Sequence, residues 1–426
     1  MSVRNIFNNL TGRAGMTAGS GGADMNFNLN QFLTAIANAL DTIEINIFGM
    51  PTNHSKRIAY ISVIIGRKLQ LTDEEIFDLA SLAIMHDNGA SMKILQDKLQ
   101  GTVKEKINLL ETRKIHCNFG EENIKDFPFL TSPVNIIKYH HERYDGSGFF
   151  GLSHDEIPVF SQIIALADTL DLAFDLEHST NKDMITAFVR EHANTFFSPL
   201  LADIFIEAAG RGDFWEGLSD LNIGGSLRTL IPSFSNELHY SDIRRITKTF
   251  SKIIDAQSAF TQRHSSGLSE KLEIMAAFYK LDPELALKLS IATDLHDLGK
   301  LVISSAILDK PGKLTEEEFE EIKKHPMITR LCLQEINGFE DITEWASNHH
   351  EKLDGSGYPK GLKAGDLDFN SRLIACLDVY QALREERPYR KAMDHQGAME
   401  ILKNMADAGQ LDHTIAEDIN TVFSNT

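Results

Sequence analysis

Imidazole and carboxylate side chains cluster in residues 349–359, whose sequence is HHEKLDGSGYP. Two adjacent histidines and two acids together suit borderline metal ions such as Fe, Mn, Ni or Zn better than Mg or Ca. Gly355 and Gly357 permit positive φ values, so the chain can turn sharply just after the histidines. Pro359 then disfavours continuation as a helix. The pattern predicts a metal-binding turn, with a solvated helix end as the alternative.

Two further segments carry the same residue types. Upstream, residues 295–300 read LHDLGK, a His–Asp pair at a predicted helix end with Gly299 as terminator and Lys300 beyond it. Downstream, Asp378 lies inside the largely apolar run 373–382. An unpaired acid in such a run would be costly to bury, so a ligand role is the simpler explanation of Asp378.

The order of these motifs resembles that of the HD-GYP subgroup of the HD metal-dependent phosphohydrolase superfamily. The similarity consists of HDxGK, a single histidine, HHExxDGxGYP and a distal aspartate, and it spans about residues 257–423. The resemblance implies an HD-type helical fold that binds two divalent metal ions, Fe, Mn or similar. It also implies hydrolysis of a cyclic dinucleotide, c-di-GMP or 3′,3′-cGAMP, to a linear dinucleotide.

The chain contains a long internal repeat. Seven candidate ligands in the second half have counterparts in the first half, in the same order and at a nearly constant offset. The pairs are His54 and His264, His86 and His296, Asp87 and Asp297, His116 and His325, His140 and His349, His141 and His350, and Asp168 and Asp378. Packing alone hardly explains two such sets in the same order, so the repeat predicts two tandem HD-type domains.

The predicted ligands have different roles. His296 and Asp297 lie about 100° apart on a helix, so the histidine can bind one ion while the carboxylate bridges two. His325 precedes a proline that favours a helix start, and a capping role remains its alternative. His349 and His350 serve either one ion plus substrate or the second ion. The predicted metal ligands are His264, His296, Asp297, His325, His349, His350 and Asp378.

Basic residues near these motifs are candidates for phosphate binding. Beside a metal pair bridged by Asp297, Lys300 would neutralise a non-bridging phosphate oxygen, with a solvated lysine as the alternative. The planar guanidinium groups of Arg387 and Arg390 suit phosphate, with a solvated basic helix face as the alternative. Asp297 and Lys300 are the predicted catalytic residues. The resemblance implies substrate binding by Lys300, Gly357, Tyr358, Pro359, Arg387 and Arg390.

The first copy differs at the positions that would hold phosphate. Lys300 is replaced by Ala90, and the segment 387–391, RPYRK, aligns with 177–181, EHSTN, which has no Arg or Lys. We therefore predict that the first copy is a degenerate domain with a structural or regulatory role. The second copy departs from the family at Phe260, where some members carry a glutamate for a third metal, and at Gln381, where an acid is often found.

Three segments are predicted: a flexible Gly/Ser-rich arm at 1–28, the degenerate HD domain at 29–234 and the catalytic HD-GYP domain at 235–426. Helical spacing of Phe32, Ile36 and Leu40 and the run 58–65 indicate helices. Thr72 followed by three acids indicates a helix start. Few stretches alternate with period two, so we expect an all-α protein.

Composition limits the possible partners. A formal net charge of −19 disfavours binding to long nucleic acid through a basic surface. No uncharged apolar stretch is long enough to cross a bilayer, and the N-terminus lacks the apolar core of a secretory signal. Three widely spaced cysteines fit a reducing cytoplasm and buried positions. We expect a cyclic dinucleotide as partner and contact between the two repeats within the chain.

A non-catalytic nucleotide sensor or scaffold, as in HDOD-type proteins, is the first alternative function. Such proteins lack the metal ligands, and the second copy retains all seven together with Lys300. The second alternative is a phosphohydrolase that acts on a mononucleotide or a ppGpp-like compound. Only the resemblance of the Gly-Tyr-Pro segment favours cyclic dinucleotides over these.

Overall fold

The computed structural model describes residues 24–48, 53–89, 109–174, 176, 181–256, 258, 264–386 and 390–424. Within these ranges the chain is mostly helical, and the sheet has two short strands. The predicted all-α class is therefore confirmed. Among the helices described, none is both long and apolar enough to cross a membrane.

The first half begins with strand β1 (Asp24–Phe27). Its helices are α1 (Leu29–Phe48), α2 (His54–Lys68), α3 (Asp73–Ile84), α4 (Leu109–Asn123), α5 (Val159–Ala173), α6 (Lys182–Glu191), α7 (Pro199–Ala209), α8 (Gly212–Leu218) and α9 (Ile223–Leu230). A short 3₁₀ turn, His154–Glu156, precedes α5.

The second half begins with strand β2 (Asn236–His239). Its helices are α10 (Tyr240–Asp255), α11 (His264–Phe278), α12 (Pro283–Leu295), α13 (Ser305–Leu308), α14 (Glu316–Ile322), α15 (His325–Leu333), α16 (Glu340–Ser347), α17 (Phe369–Arg384), α18 (His395–Asp407) and α19 (His413–Phe423). A 3₁₀ turn, Leu298–Val302, follows α12. Helices α11, α12 and α17 repeat α2, α3 and α5 at one constant interval, which is the interval between His54 and His264 in the sequence repeat.

Local sequence signals account for several helix starts. Thr72 caps α3 as predicted: its hydroxyl accepts from the backbone N–H of Glu75, whose carboxylate accepts from the backbone N–H of Thr72. Pro326 lies in the first turn of α15, as the sequence also indicated. The run 58–65 lies within α2, so its assignment to a helix is confirmed.

One detail of the sequence analysis is wrong. The arm predicted to be flexible up to residue 28 includes β1, because Met25 and Phe27 alternate with polar residues and are buried. Its residues 1–23 lie outside the described part of the chain. Leu221, in the turn between α8 and α9, is 93% exposed.

Residues of the two halves are in direct contact. Strands β1 and β2 pair antiparallel, with Asp24 opposite His239 and Phe27 opposite Asn236. Helix α1 packs against α15 and the Leu298–Val302 turn of the other half. In the reciprocal direction, the Thr249 hydroxyl on α10 donates to the carbonyl oxygen of Asn123, the last residue of α4, at 3.3 Å.

Phe32 on α1 is at the centre of these contacts. It is fully buried, and its ring centroid lies 5.3 Å from that of Phe250 and 6.1 Å from that of Phe339. Both partners belong to the second half, so the aromatic cluster joins apolar surface from both halves of the chain.

Replacing Phe32 with alanine should lower the free energy of unfolding by about 3–5 kcal/mol, because it leaves a cavity in this cluster. Denaturant titration followed by circular dichroism measures the change. Leu221→Ala is the control and should shift stability by no more than about 0.5 kcal/mol. A Phe32→Ala protein as stable as the Leu221→Ala control would contradict the packing described.

Candidate metal centre

The predicted ligands of the second half are placed by helix ends and by one helix interior. His264 begins α11, His296 caps the C-terminus of α12 and His325 begins α15. The adjacent pair, 349 and 350, follows α16, and Asp378 lies within α17. Helix ends therefore supply the histidines, and the apolar face of α17 carries the acid into the same buried region.

Asp297 lies between two groups of histidines. Its Oδ2 atom is 3.3 Å from His296 Nε2, whereas its Oδ1 atom is 3.3 Å from His325 Nε2 and 3.8 Å from His349 Nε2. One carboxylate oxygen therefore faces each group, which is the arrangement that a carboxylate bridging two ions requires.

Asp378 joins the remaining histidines to this arrangement. Its Oδ1 atom is 3.0 Å from His264 Nε2 and 3.9 Å from His296 Nε2, and its Oδ2 atom is 3.9 Å from His350 Nδ1. Donor atoms of His264, His296 and Asp378 lie within 4.8 Å of one another, as do those of the three histidines at 325, 349 and 350. All seven predicted ligands thus converge.

Backbone carbonyl groups fix the orientation of three imidazoles. The Nδ1 atoms of His296, His325 and His349 lie 2.7 Å from the carbonyl oxygens of Thr293, Ile322 and Ala346, respectively. A carbonyl oxygen can only accept, so each Nδ1 carries the proton. The Nε2 lone pair of each ring is therefore directed at the centre, as a metal ligand requires.

Some buried atoms of the centre, among them His296 Nε2 and Asp297 Oδ1, have no hydrogen-bond partner within the described part of the chain. Buried polar atoms are normally satisfied, and leaving them without a partner is costly. Bound cations would satisfy both atoms at once. The imidazole and carboxylate donors therefore fit divalent ions of the Fe or Mn kind.

Burial and mutual contact set the protonation of the centre. Burial and then the neighbouring His296 lower the pKa of His349 to about 4. Burial also lowers the pKa values of His325 and His350 well below the usual range. For Asp297, burial acts to raise the pKa, but His296 and Lys300 outweigh it and hold the pKa well below its usual range. These three histidines and Asp297 therefore favour the neutral imidazole and the ionised carboxylate, which are the forms that bind metal.

His264 is held by a residue that sequence reasoning missed. Its Nδ1 atom lies 2.9 Å from Glu385 Oε2, and Glu385 Oε1 accepts from the side-chain amide of Gln381 at 2.5 Å. Burial opposes protonation of His264, but Asp378 and Glu385 outweigh burial and raise its pKa to about 9. Glu385 follows Asp378 by two helical turns, so both lie on one helix face, and that spacing is the signal that could have found it.

Lys300 lies at the edge of the centre. Its Nζ atom is 2.5 Å from Asp297 Oδ2, and its side chain faces a cavity of about 290 Å³. Tyr358 and Arg390 line the same cavity. Arg390 donates to the carbonyl oxygens of Ala382 and Leu383 near the end of α17, at 2.6 and 3.3 Å. The predicted substrate-binding residue Arg387 lies outside the described residues.

The Gly-Tyr-Pro loop is built around Glu351, which sequence reasoning gave no separate role. The buried Glu351 carboxylate accepts from the backbone N–H groups of Lys360 and Leu362, at 2.6 and 2.9 Å. A Cβ atom on Gly357 would lie 2.4 Å from the Lys352 nitrogen, so this close approach requires glycine. The loop places the Tyr358 ring 4.9 Å from the His350 ring and continues through a cis peptide bond to Pro359.

The first half brings its seven counterparts together in the same way. Asp87 Oδ1 is 3.2 Å from His116 Nε2 and 3.3 Å from His140 Nε2, and its Oδ2 atom is 3.8 Å from His86 Nε2. His54 Nε2 is 3.3 Å from Asp168 Oδ1. The counterpart of Lys300, Ala90, lies outside the described residues.

The repeated histidine–aspartate constellation on helices defines the class of protein. The chain belongs to the HD domain family, whose model matches residues 45–189 and 248–415. It is 30% identical over 415 residues to 3′3′-cGAMP-specific phosphodiesterase 1 of Vibrio cholerae, covering 95% of this chain and 94% of that protein. It is 28% identical to 3′3′-cGAMP-specific phosphodiesterase 3 of V. cholerae, covering 89% and 92% of the two chains.

The fold also matches a solved structure. The crystal structure of a cyclic GMP-AMP specific phosphodiesterase of V. cholerae aligns with a TM-score of 0.67 at 24% identity, covering 94% of this chain and 99% of that one. The cyclic di-GMP phosphodiesterase PA4108 of Pseudomonas aeruginosa is 30% identical over 191 residues, which is 44% of this chain and 45% of that protein. The two V. cholerae relatives and this solved structure thus match the chain over nearly its whole length.

The double variant His296→Ala/Asp297→Ala should lose the ions of the second half, since it removes the bridging carboxylate and one imidazole. Metal content per chain, measured by inductively coupled plasma mass spectrometry after dialysis, should fall, while circular dichroism shows a retained fold. His413→Ala/Asp407→Ala is the matched control, because it removes an exposed His–Asp pair that takes no part in the centre. Unchanged metal content in the first variant would contradict the ligand assignment.

Proposed function

We propose that this chain is a metal-dependent phosphodiesterase that hydrolyses a cyclic dinucleotide to a linear dinucleotide, with its catalytic centre in the second half. The observation that carries the proposal is the position of Asp297, whose two oxygens face two groups of histidines while Lys300 contacts the same carboxylate. Two divalent ions held there would supply an activated water and neutralise phosphate charge.

Different residues of the second half would bind the ions and the phosphate. His264, His296 and Asp378 would hold one ion, the histidines at 325, 349 and 350 the other, and Asp297 both. Lys300 Nζ would donate to a non-bridging phosphate oxygen and stabilise the charge that develops there during in-line attack. The 3′ oxygen then leaves, and opening of the ring gives the linear product.

The cavity beside the centre supports an anionic nucleotide as substrate. Lys300, Lys310 and Arg390 bring positive charge to its wall in a chain whose net charge is −19. Tyr358 adds an aromatic ring beside His350 that a base or ribose can contact. Basic side chains thus lie where phosphate would bind, and bound divalent ions would offset the negative charge of Asp255, Asp297 and Asp378, which line the same cavity.

Within the class of cyclic dinucleotides, 3′,3′-cGAMP is the substrate that we propose first. Two relatives named for 3′3′-cGAMP match over 94% and 92% of their own lengths and a third over 35%, whereas the cyclic di-GMP phosphodiesterase PA4108 matches over 45%. We further propose that residues 235–426 form the catalytic domain and residues 29–234 a domain packed against it. Three buried cysteines without disulfides support a location in the reducing cytoplasm.

The purified chain supplied with Mn²⁺ or Fe²⁺ should convert 3′,3′-cGAMP, and more slowly c-di-GMP, to linear dinucleotides, as separated by liquid chromatography. The variant His296→Ala/Asp297→Ala should give no product, because it loses the bridging carboxylate. His86→Ala/Asp87→Ala should still give product, since its changes lie in the first half. Normal turnover by the first variant, or none by the second, would overturn the assignment of catalysis to the second half.

Replacing Lys300 with alanine should lower kcat about 100-fold, because one donor to the developing phosphate charge is lost. Metal content should stay at the wild-type value, since Lys300 contacts Asp297 without being a ligand. Lys403→Ala, on the exposed surface of α18, is the control and should match the wild type in both measurements. A loss of bound metal in Lys300→Ala would show that the lysine acts on the centre itself, contrary to this role.

A further inference from the structure

A cysteine lies among the histidines of the first half. The Cys117 side chain is fully buried, and its Sγ atom is 3.4 Å from His116 Nε2. Donor atoms of His116, Cys117, His140 and His141 all lie within 4.8 Å of one another. At the offset of the neighbouring histidine pair, the counterpart of Cys117 in the second half is Pro326, which has no donor.

We propose that the first half holds a metal centre of its own, with Cys117 as a sulfur ligand, and that this centre prefers a thiophilic ion such as Zn²⁺. Three imidazoles and one thiolate form a ligand set typical of Zn²⁺, whereas the histidines and carboxylates of the second half suit Fe or Mn. Binding converts the Cys117 thiol to a thiolate and releases its proton to solvent, while the S–metal bond forms.

Buried atoms without a hydrogen bond point to an ion independently of the cysteine. Among the described residues, His86 Nε2, His140 Nε2 and Asp87 Oδ1 are buried and find no hydrogen-bond partner. His86 Nδ1 and His140 Nδ1 donate to the carbonyl oxygens of Ala83 and Ile137, so their Nε2 lone pairs face inward. Such atoms are costly in a protein interior unless a cation satisfies them.

The support behind His54 also indicates a retained ligand. His54 Nδ1 lies 2.7 Å from Asp171 Oδ2, and the fully buried Arg57 donates to Asp171 Oδ1 at 2.7 Å. Burying an arginine and an aspartate is expensive, and here they orient a single imidazole. Arg57 and Asp171 correspond to Gly267 and Gln381 in the second half. The hydrogen bonds that orient His54 are therefore specific to the first half.

The two centres also differ at the position of Lys300, because the first half has alanine there instead of a basic residue. Ala90 cannot neutralise phosphate, and the segment 177–181 has no Arg or Lys. The first half therefore keeps its donors, and its sequence has no basic residue at the positions of Lys300, Arg387 and Arg390. An ion bound by His116, Cys117, His140 and His141 would join α4 to the segment around residues 140–141 that follows it in the chain.

Titration of the chelator-treated full-length chain with Co²⁺ tests this proposal, because thiolate bound to Co²⁺ gives an intense charge-transfer absorption in the near ultraviolet. The wild-type chain should show the absorption, and one equivalent of Zn²⁺ should abolish it. Cys117→Ser should lack it. Cys332→Ser and Cys376→Ser are matched controls, because both residues are buried cysteines outside the described ligand clusters, and both variants should retain it.

The variant His296→Ala/Asp297→Ala tests which half gives the absorption. It should retain the absorption, because the second centre has no sulfur ligand. Circular dichroism shows whether each variant is folded. A wild-type chain without the absorption, or absorption that survives Cys117→Ser, would overturn the proposal. So would its loss in a folded His296→Ala/Asp297→Ala chain. None of these outcomes depends on turnover, so failure of hydrolysis and failure of this proposal are distinguishable.

Discussion

A buried carboxylate that faces two groups of imidazoles is the constraint on which the rest of this molecule depends. Asp297 and its counterpart Asp87 are almost completely shielded from water, and an ionised acid in that position is stable only beside positive charge. His296, His325 and His349 reach Asp297 from the end of α12, the start of α15 and the turn after α16. The Nδ1 atom of each ring donates to a backbone carbonyl oxygen. The fold thus gives the Nδ1 atom of each ring a hydrogen-bond partner and directs the Nε2 atom at the position where metal would bind.

Much of this could be predicted from the sequence because the ligands occur in short motifs at a fixed repeat. The interval between paired ligands reappears as the interval between paired helix starts, and the capping pair Thr72 and Glu75 forms as expected. The residues that hydrogen-bond to the ligands were harder to predict from the sequence. Glu385 supports His264 from two helical turns beyond Asp378, whereas Asp171 supports His54 from within one turn of Asp168. Equivalent roles are thus filled from different positions, which the alignment of motifs does not reveal.

The first half shows what the sequence leaves open. Its lack of phosphate-binding cations predicted a degenerate domain, and Cys117 read as a small buried residue. Spacing shows which residues share a face, but it does not show which side chains of separate helices meet. His116 and Cys117 are neighbours on α4, but their proximity to His140 and His141 depends on how α4 meets the turns that follow it. Strand β1 was missed for a related reason, because so short an alternation is too little to predict pairing with a strand in the other half of the chain.

The reciprocal packing of α1 and α10 has a consequence for how the two halves diverged. Equivalent strands pair antiparallel, and the first helix of each half contacts residues of the other half, as in a two-fold symmetric homodimer whose subunits are fused. Fusion fixes the partner at a concentration that dilution cannot change. It also removes the requirement that a substitution appear on both sides of the axis at once. One side can therefore exchange a lysine for alanine and a proline for cysteine while the other retains its chemistry.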